Sequence, residues 1–353
     1  KRINVDGAMK QLKVGINGCG RLGRAFLRQY LRMTNPQFQV VVINDPMPMD
    51  QLVYLTRYDS VHGRLENDVA FEVKGQVIAS PHGDIAYPQT KDVPHWSDYQ
   101  LDMVVELSGV YTKASMVQKH LAAGAPKVLL GAPLLDEQGK ITRQFPDWAT
   151  GIWPGEALDL TSNCKVFSGF SCTTQALVTL LRPLVDNNIG IESAMVTELH
   201  GFTTSQHLLD SPHKDWRRGR NAASSIIPTP TQGIFGAEQL MPVLQGRISG
   251  YSIRVPVPDV AALDVSVHLS SEHKLEQILA LYKQAENGNL KNILSLEDQP
   301  LVSVDFIGRT ESAVLAEDLC QVNRHQLRLY GWYDNEYGYA RRLLDSLNLS
   351  VGQ

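Results

Sequence analysis

An α/β domain followed by an α+β domain with a largely antiparallel sheet is the fold class this chain predicts, on three observations. An apolar run, a glycine-rich turn, a helical stripe and a second apolar run follow one another between Leu12 and Asp45. Beyond Cys172 the texture changes to β-rich segments with few helices among them. The 353 residues suffice for two domains of ordinary size.

Residues 1–11 read as an N-terminal tail, after which "LKVGING" is a strand running into "GCGRLGR". Leu22, Phe26 and Tyr30 recur at four-residue spacing, the mark of a helix face. "FQVVVIND", 38–45, is a continuous β-branched run of the sort buried in parallel sheets. Further strands are expected at "MVVEL" (103–107) and "KVLL" (127–130), flanking a helix over 113–123 that Gly124 ends. The first domain is placed at 12–171 and the second at 172–338. Leu177, Leu180, Leu181 and Leu184 give the stripe of a core helix whose first turn begins at about Cys172. "SAMVTEL", "SGYSIRVPV", "AALDVSVHLS", "PLVSVDFI" and "QLRLYGWY" supply the second domain's sheet. A closing helix over 339–353 is expected to pack back on the first domain.

Charge excludes two broad classes of partner. The 33 basic and 37 acidic side chains leave a net −4 without long single-sign runs, so neither a nucleic-acid groove nor a polybasic membrane patch is indicated. No window has the apolar length of a bilayer helix, and "KRINVDGAMKQLKV" lacks the apolar centre of a secretory signal, which makes the cytosol the simplest location. Cys19, Cys164, Cys172 and Cys320 are widely spaced with no Cys-x-x-Cys pair. That argues against a disulfide framework and a zinc site, and no metal is expected.

Gly18, Gly20 and Gly23 form Gly-x-Gly-x-x-Gly between the first strand and the first helix. Glycines there permit a tight turn and close approach of backbone N–H groups to a pyrophosphate, which also meets the positive end of the helix dipole. Asp45 lies 22 residues after Gly23, at the end of the second strand, where a carboxylate accepts hydrogen bonds from both adenosine ribose hydroxyls and repels a 2′-phosphate. Taken alone, Asp45 before Pro46 also fits a turn-forming role. In this register the combination indicates a Rossmann-type domain that takes NAD in preference to NADP.

The stretch "SGFSCTTQALVTLLRPL" sets Cys172 at a helix N-terminus, where orphan N–H groups stabilise a thiolate and a neighbouring histidine lowers the thiol pKa to roughly 3.5–7.5. A cysteine at such a place fits a buried filler as well as a nucleophile. His200, ending the alternating strand 196–199, is the candidate partner, although a lone histidine there also suits a structural role.

The ordered stretches "VGINGCGRLGR", "INDP", "RYDSVHGR", "SCTT", "ELHGFTTSQ", "HKDWRRGR", "SIIPTPT", "RVPVPDV" and "WYDNEYGY" resemble the phosphorylating glyceraldehyde-3-phosphate dehydrogenases over nearly everything from Lys13 onward. The resemblance implies a homotetramer that takes a small phosphorylated aldehyde, inorganic phosphate and NAD. It implies Cys172 as the nucleophile that becomes a thioester and His200 as the base. Thr203 and Arg254 match residues that hold the substrate phosphate, and Ser171, Thr173 and Thr231 match those near the attacking phosphate, with Gln232 beside them. Asn17, Gly18, Gly20, Arg21, Leu22, Gly23, Asp45, Ser108, Gly109, Asn335 and Tyr339 fall at cofactor-binding positions of the family, Asn335 holding the nicotinamide carboxamide.

Departures from the family pattern sit close to these residues. Phe170, Gln175 and Trp153 replace smaller or different side chains and point to a reshaped substrate pocket. Gln232 stands where the family places a glycine beside the attacking phosphate. Erythrose-4-phosphate dehydrogenases, close relatives, also depart from glycine there, and they form the alternative reading. Thr203 keeps the triose-phosphate pattern, which ranks glyceraldehyde-3-phosphate first. A retired NAD-binding interaction protein is the third reading, opposed by the retention of Cys172, His200 and Arg254.

Overall fold

The computed structural model describes residues 11–142 and 145–350, so the tail expected over 1–11 lies almost wholly outside the described residues. The chain divides between Ser171 and Cys172, and the segment from Ala340 onward belongs to the first unit while Cys172–Tyr339 forms the second.

In the first unit nine strands hydrogen-bond in the order Ala149–Gly151, Val166–Ser168, Val128–Leu130, Met103–Glu106, Leu12–Asn17, Phe38–Asn44, Ile85–Ala86, Val77–Ala79 and Glu72–Lys74. All neighbours run parallel up to Ile85–Ala86, and the last two strands turn back antiparallel. The first strand of the chain lies mid-sheet, with its successor on one side and Met103–Glu106 on the other. Such a reversal of strand order opens a crevice at the carboxyl ends of the strands, where ligands bind. The glycine turn follows at that end, and the helix Arg21–Leu31 leaves it. Val42, Val104, Val128 and Leu130 are fully buried in one cluster with Trp96 and Val117, as continuous apolar strands of a parallel sheet require.

In the second unit the sheet order is Ile227–Thr229, Ile248–Val255, Ile191–Gly201, Ala261–Leu269, Gln326–Tyr333, Ala313–Ala316 and Leu294–Glu297, with Gln321–Asn323 also paired to Gln326–Tyr333. Pairing is antiparallel except between Ile191–Gly201 and Ile248–Val255 and between Leu294–Glu297 and Ala313–Ala316. The helix Cys172–Asp186 buries Leu177, Leu180, Leu181 and Leu184, the stripe the spacing predicts. The Tyr282 hydroxyl donates to the Leu180 carbonyl at 2.6 Å, tying this helix to Leu275–Asn287.

Three elements differ from expectation. "PLVSVDFI" is not a strand: Ser303–Phe306 is a 3-10 turn, because the Asp305 carboxylate accepts the Val302 N–H at 2.9 Å and closes the chain on itself. Leu275–Asn287 is a thirteen-residue helix in a region read as nearly all β, its Ile278, Tyr282 and Ala285 turned inward. The last helix runs Tyr337–Leu349, starting before 339, since Asp334 Oδ1 accepts the N–H groups of Glu336 and Tyr337 at its head. The closing residues 351–353 lie outside the described ones.

Asp259 is buried in the second unit beside Asp334 and Glu336. Burial first, and then the charges of Asp334 and Glu336, push its carboxyl up to about 9. The folded chain therefore holds a proton that an unfolded carboxyl, at about 3.9, releases. Its stabilising contribution is complete below that value and is lost as pH rises through the folded pKa. Asp259→Asn is expected to stabilise the protein at pH 8 by on the order of 2 kcal/mol and to flatten the fall in stability between pH 5 and 9. Urea denaturation at both ends of that range measures it, and an unchanged pH slope would contradict it.

Candidate active site

Sheet register assembles the site in the second unit. Along Ile191–Gly201, Glu198 and His200 are two residues apart and share a face. The parallel neighbour sets Arg254 beside His200 and Ser252 beside Glu198. Tyr333 ends the strand Gln326–Tyr333 on the far side of Ala261–Leu269. Against this face the helix Cys172–Asp186 begins, so that Cys172 Sγ lies 3.7 Å from His200 Nε2 and 3.9 Å from Thr173 Oγ1. His200 is buried, and its ring stands edge-on to Tyr333 at 6.3 Å.

Glu198 holds the arrangement from beneath. Its Oε1 accepts the Thr173 hydroxyl and, at 3.0 Å, the Tyr333 hydroxyl. Burial alone would push this carboxyl up, but His200, the Thr173 hydroxyl and Arg254 outweigh burial and keep it below its ordinary value, hence ionised. A fixed negative charge thus faces the reactive pair. Burial and then Glu198 push the Cys172 thiol up to about 12. Burial and then Arg254 push His200 down to about 4, against the opposing pull of Glu198, the Gly201 carbonyl and Glu336. Burial and the Glu198 carboxylate thus work against the thiolate that the helix start favours.

Thr231 and Gln232 precede the helix Gly233–Leu240, whose N-terminus meets Thr173. Thr231 Oγ1 accepts the Gly233 N–H at 3.2 Å, and Thr174 Oγ1 donates to the Gly233 carbonyl at 3.0 Å. Gln232 is exposed and makes no side-chain cap. A Cβ on Gly233 would lie 2.6 Å from Thr173 Cγ2 and 2.7 Å from its Cβ. Thr173 is buried and held by Glu198, so it cannot yield. Gly233→Ala is expected to cost about 1–3 kcal/mol by overpacking and to lower kcat by displacing the residue next to Cys172. A denaturant midpoint together with kcat tests this; a variant unchanged in both would refute it.

Thr203 Oγ1 is 3.0 Å from Ser205 Oγ, which also accepts Arg218 Nη2 at 2.6 Å. Arg218 lies within electrostatic reach of Arg254, and burial together with that like charge shifts its pKa down. The Nε atoms of both arginines are buried with no hydrogen-bond partner. Two guanidinium groups, one of them bonded to a serine hydroxyl, make a candidate anion site. Asn335 Oδ1 is likewise buried without a partner, and Tyr339 is buried, its phenol kept protonated by burial.

In the first unit Gly18 has φ +95°, and a Cβ on it would lie 2.4 Å from the backbone N of Ser108, so only glycine fits this turn. Gly20 and Gly109 face open space. Asp45 Oδ2 accepts the Cys19 N–H at 2.7 Å and Oδ1 the Met47 N–H at 2.9 Å, which pins the carboxylate to the loop. Asn17 and Ser108 both donate to the buried carboxylate of Glu106, at 2.6 Å from Asn17 Nδ2 and 2.5 Å from Ser108 Oγ. His120 Nε2 reaches the same carboxylate at 2.9 Å, and Trp96 Nε1 donates to His120 Nδ1 at 3.0 Å. Arg21 pairs with Asp59 at 2.5 Å, Leu22 is half-buried in the first helical turn, and Gly23 is buried in it.

The structure therefore brings Cys172, Thr173, His200 and Arg254 together, and joins Thr231 to them through Gly233. Ser171 is the last residue of the first unit. Phe170 is buried with its ring 5.7 Å from that of Phe145, and Gln175 is buried within its helix. Sequence reasoning missed Glu198, Tyr333, Ser205 and Arg218. The signal for Glu198 was its position two residues before His200 in an alternating strand, and Arg218 stood within "HKDWRRGR".

A parallel-sheet dinucleotide domain followed by a unit whose sheet carries a histidine and an arginine against a cysteine at a helix start defines an NAD-binding oxidoreductase. Residues 12–114 match the family model described as glyceraldehyde 3-phosphate dehydrogenase, NAD binding domain, and residues 171–335 match the C-terminal domain of the same enzyme. The chain is 36% identical over 344 residues to a glyceraldehyde-3-phosphate dehydrogenase of Mycobacterium avium, covering 96% of this chain and 98% of the relative. Identity is 37% over 352 residues to glyceraldehyde-3-phosphate dehydrogenase 1 of Nostoc sp., covering 98% of each. It is 36% over 335 residues to glyceraldehyde-3-phosphate dehydrogenase 1 of Bacillus subtilis, covering 95% of this chain and 96% of the relative. The chain belongs to the glyceraldehyde-3-phosphate dehydrogenase family.

Proposed function

We propose that this chain oxidises glyceraldehyde-3-phosphate to 1,3-bisphosphoglycerate with NAD and inorganic phosphate, through a thioester on Cys172. The observation that carries the reading is Cys172 Sγ at 3.7 Å from His200 Nε2, with Arg254 on the ring's other nitrogen. The residues fit NAD. Gly18 leaves a cradle that a Cβ would fill, Asp45 is fixed at the loop, and Asn335 keeps a buried acceptor suited to a carboxamide N–H. Gly18, Gly20, Arg21, Leu22, Gly23, Asp45, Ser108, Gly109, Asn335 and Tyr339 would hold the cofactor. Asn17 serves through its backbone, since its side chain is committed to Glu106 and Asn44.

When bound, NAD supplies the acceptor for the hydride of the aldehyde carbon. Arg254, Arg218 and Thr203 bind the substrate phosphate as charge-assisted donors. Cys172 passes its proton to His200 as Sγ bonds to the aldehyde carbon. His200 returns that proton to the carbonyl oxygen and takes it again as the carbon is oxidised, leaving a thioester. A phosphate oxygen, set by Ser171, Thr173 and Thr231, then attacks the thioester carbon, and the C–S bond breaks to restore Cys172. The family resemblance supports a homotetramer. Among the described residues no helix is long and apolar enough to cross a membrane, and we place the enzyme in the cytoplasm.

Gln232 supports a second reading, in which water competes with phosphate and erythrose-4-phosphate is the aldehyde. Its exposed side chain stands at the helix start next to Thr231, where it obstructs an approaching phosphate. NADH formation on glyceraldehyde-3-phosphate and erythrose-4-phosphate, with and without phosphate, separates the readings. Phosphate-dependent turnover of the triose supports the first; turnover of the tetrose alone, without need of phosphate, replaces it with the second.

A further inference from the structure

Three neighbouring parallel strands of the first unit end on polar side chains that lie in register, Asn44 beside Asn17 and Asn17 beside Glu106. The row sits at the carboxyl ends of the strands, where the order of the sheet reverses. Asn44 Nδ2 donates to Asn17 Oδ1 at 2.9 Å, and Asn17 Nδ2 donates to Glu106 Oε2 at 2.6 Å. His120 Nε2 meets the same oxygen at 2.9 Å, while the backbone N–H and the hydroxyl of Ser108 both fall on Oε1, at 2.6 and 2.5 Å. Glu106 is buried, and its carboxylate accepts all four donors, two on each oxygen. Trp96 settles which proton His120 brings. An indole N–H only donates, so His120 Nδ1, 3.0 Å from Trp96 Nε1, offers the ring's lone pair and Nε2 carries the ring proton.

We propose that Glu106 is a positioning residue for NAD: it clamps the loop after the first strand to the loop after Met103–Glu106, so that the crevice already has its binding shape when the cofactor arrives, and Trp96, acting through His120, holds the clamp. Asn17 leads into Gly18, and Ser108 leads into Gly109. The two loops touch, since a Cβ on Gly18 would lie 2.4 Å from the Ser108 N. Such an approach crowds the Asn17 amide and both Ser108 donors into a dry place, and only a shared acceptor makes it favourable. Backbone N–H groups held in advance bind a pyrophosphate without a further loss of loop freedom. The proposal rests on the proposed function only in taking NAD as the cofactor, and it adds the side chains that hold the binding loops without touching the cofactor themselves.

Calorimetric titration with NAD, and with ADP-ribose, which keeps the pyrophosphate, reads the clamp without turnover. Glu106→Gln preserves the shape, but in either orientation its amide N–H groups face a donor that cannot turn away: the His120 ring in one, the Ser108 backbone N–H in the other. It is expected to weaken both ligands about 10–100-fold, because buried donors lose their acceptor. Trp96→Phe keeps an aromatic ring and removes the indole N–H, which frees His120 Nδ1 to carry the ring proton. Alone it is expected to weaken NAD about threefold, as His120 no longer donates to Glu106 in every molecule. Combined with Glu106→Gln it is expected to recover about tenfold of the lost affinity, since the His120 Nε2 lone pair then accepts the glutamine N–H. A merely structural role gives losses that add. Additive losses in the double variant overturn the proposal, as does NAD binding by Glu106→Gln at wild-type affinity. Where Glu106→Gln does not fold, wild-type NAD affinity in Trp96→Phe overturns it. Absence of NAD binding by the wild type would instead remove the cofactor reading.

Discussion

Cys172→Ser is expected to abolish NADH formation on glyceraldehyde-3-phosphate while NAD binding persists. A serine hydroxyl has neither the acidity nor the nucleophilicity of a thiol, and the site works against any anion at this position. Burial and Glu198 together already push even the thiol up to about 12, so an alkoxide is still less accessible. Loss of a nucleophile that acts as a unit with its base lowers the rate by roughly 10⁴-fold or more. Asp45 and the glycine turn belong to the first unit and Cys172 to the second, so the cofactor's adenosine end keeps its partners. NAD affinity by fluorescence quenching, beside a turnover assay, checks both halves. Residual turnover above about 1% of wild type would point to another nucleophile.

What was legible in the sequence was what local rules dictate. The Gly18 turn requires glycine because a side chain would strike Ser108, and that need shows as spacing between a strand and a helix. The leucine stripe after Cys172 shows as periodicity. The run "PLVSVDFI" misled because β-branched residues favour strands, while one Asp305 side chain accepting the Val302 N–H decides for a turn. Glu198 stayed hidden for a different reason. A carboxylate in an alternating strand reads as a solvated position, and only the pairing of Ile191–Gly201 with Ile248–Val255, under the start of the nucleophile's helix, makes it the buried acceptor of Thr173 and Tyr333. The electrostatics of Cys172 depend on that same non-local charge, which the helix start alone does not reveal.

His200→Asn is expected to slow NADH formation by roughly 10²–10⁴-fold, the usual range for loss of a positioned general base. Asparagine fills the ring's place on the strand and offers Arg254 a carbonyl acceptor, so the sheet keeps its register while the proton acceptor at Nε2 is gone. The pH profile separates this from a merely structural loss. In the wild type, burial and Arg254 push His200 down to about 4, so the neutral base is present above that value and is lost as pH falls through it. The acid limb of kcat/KM is therefore expected near pH 4, well below the ordinary histidine range of about 6.5. Without His200 that limb disappears, and the surviving rate rises with pH instead, following unassisted ionisation of Cys172 toward about 12. A slowed variant that keeps the wild-type acid limb would assign the limb to another group, and a rate within twofold of wild type would remove His200 from the proton path.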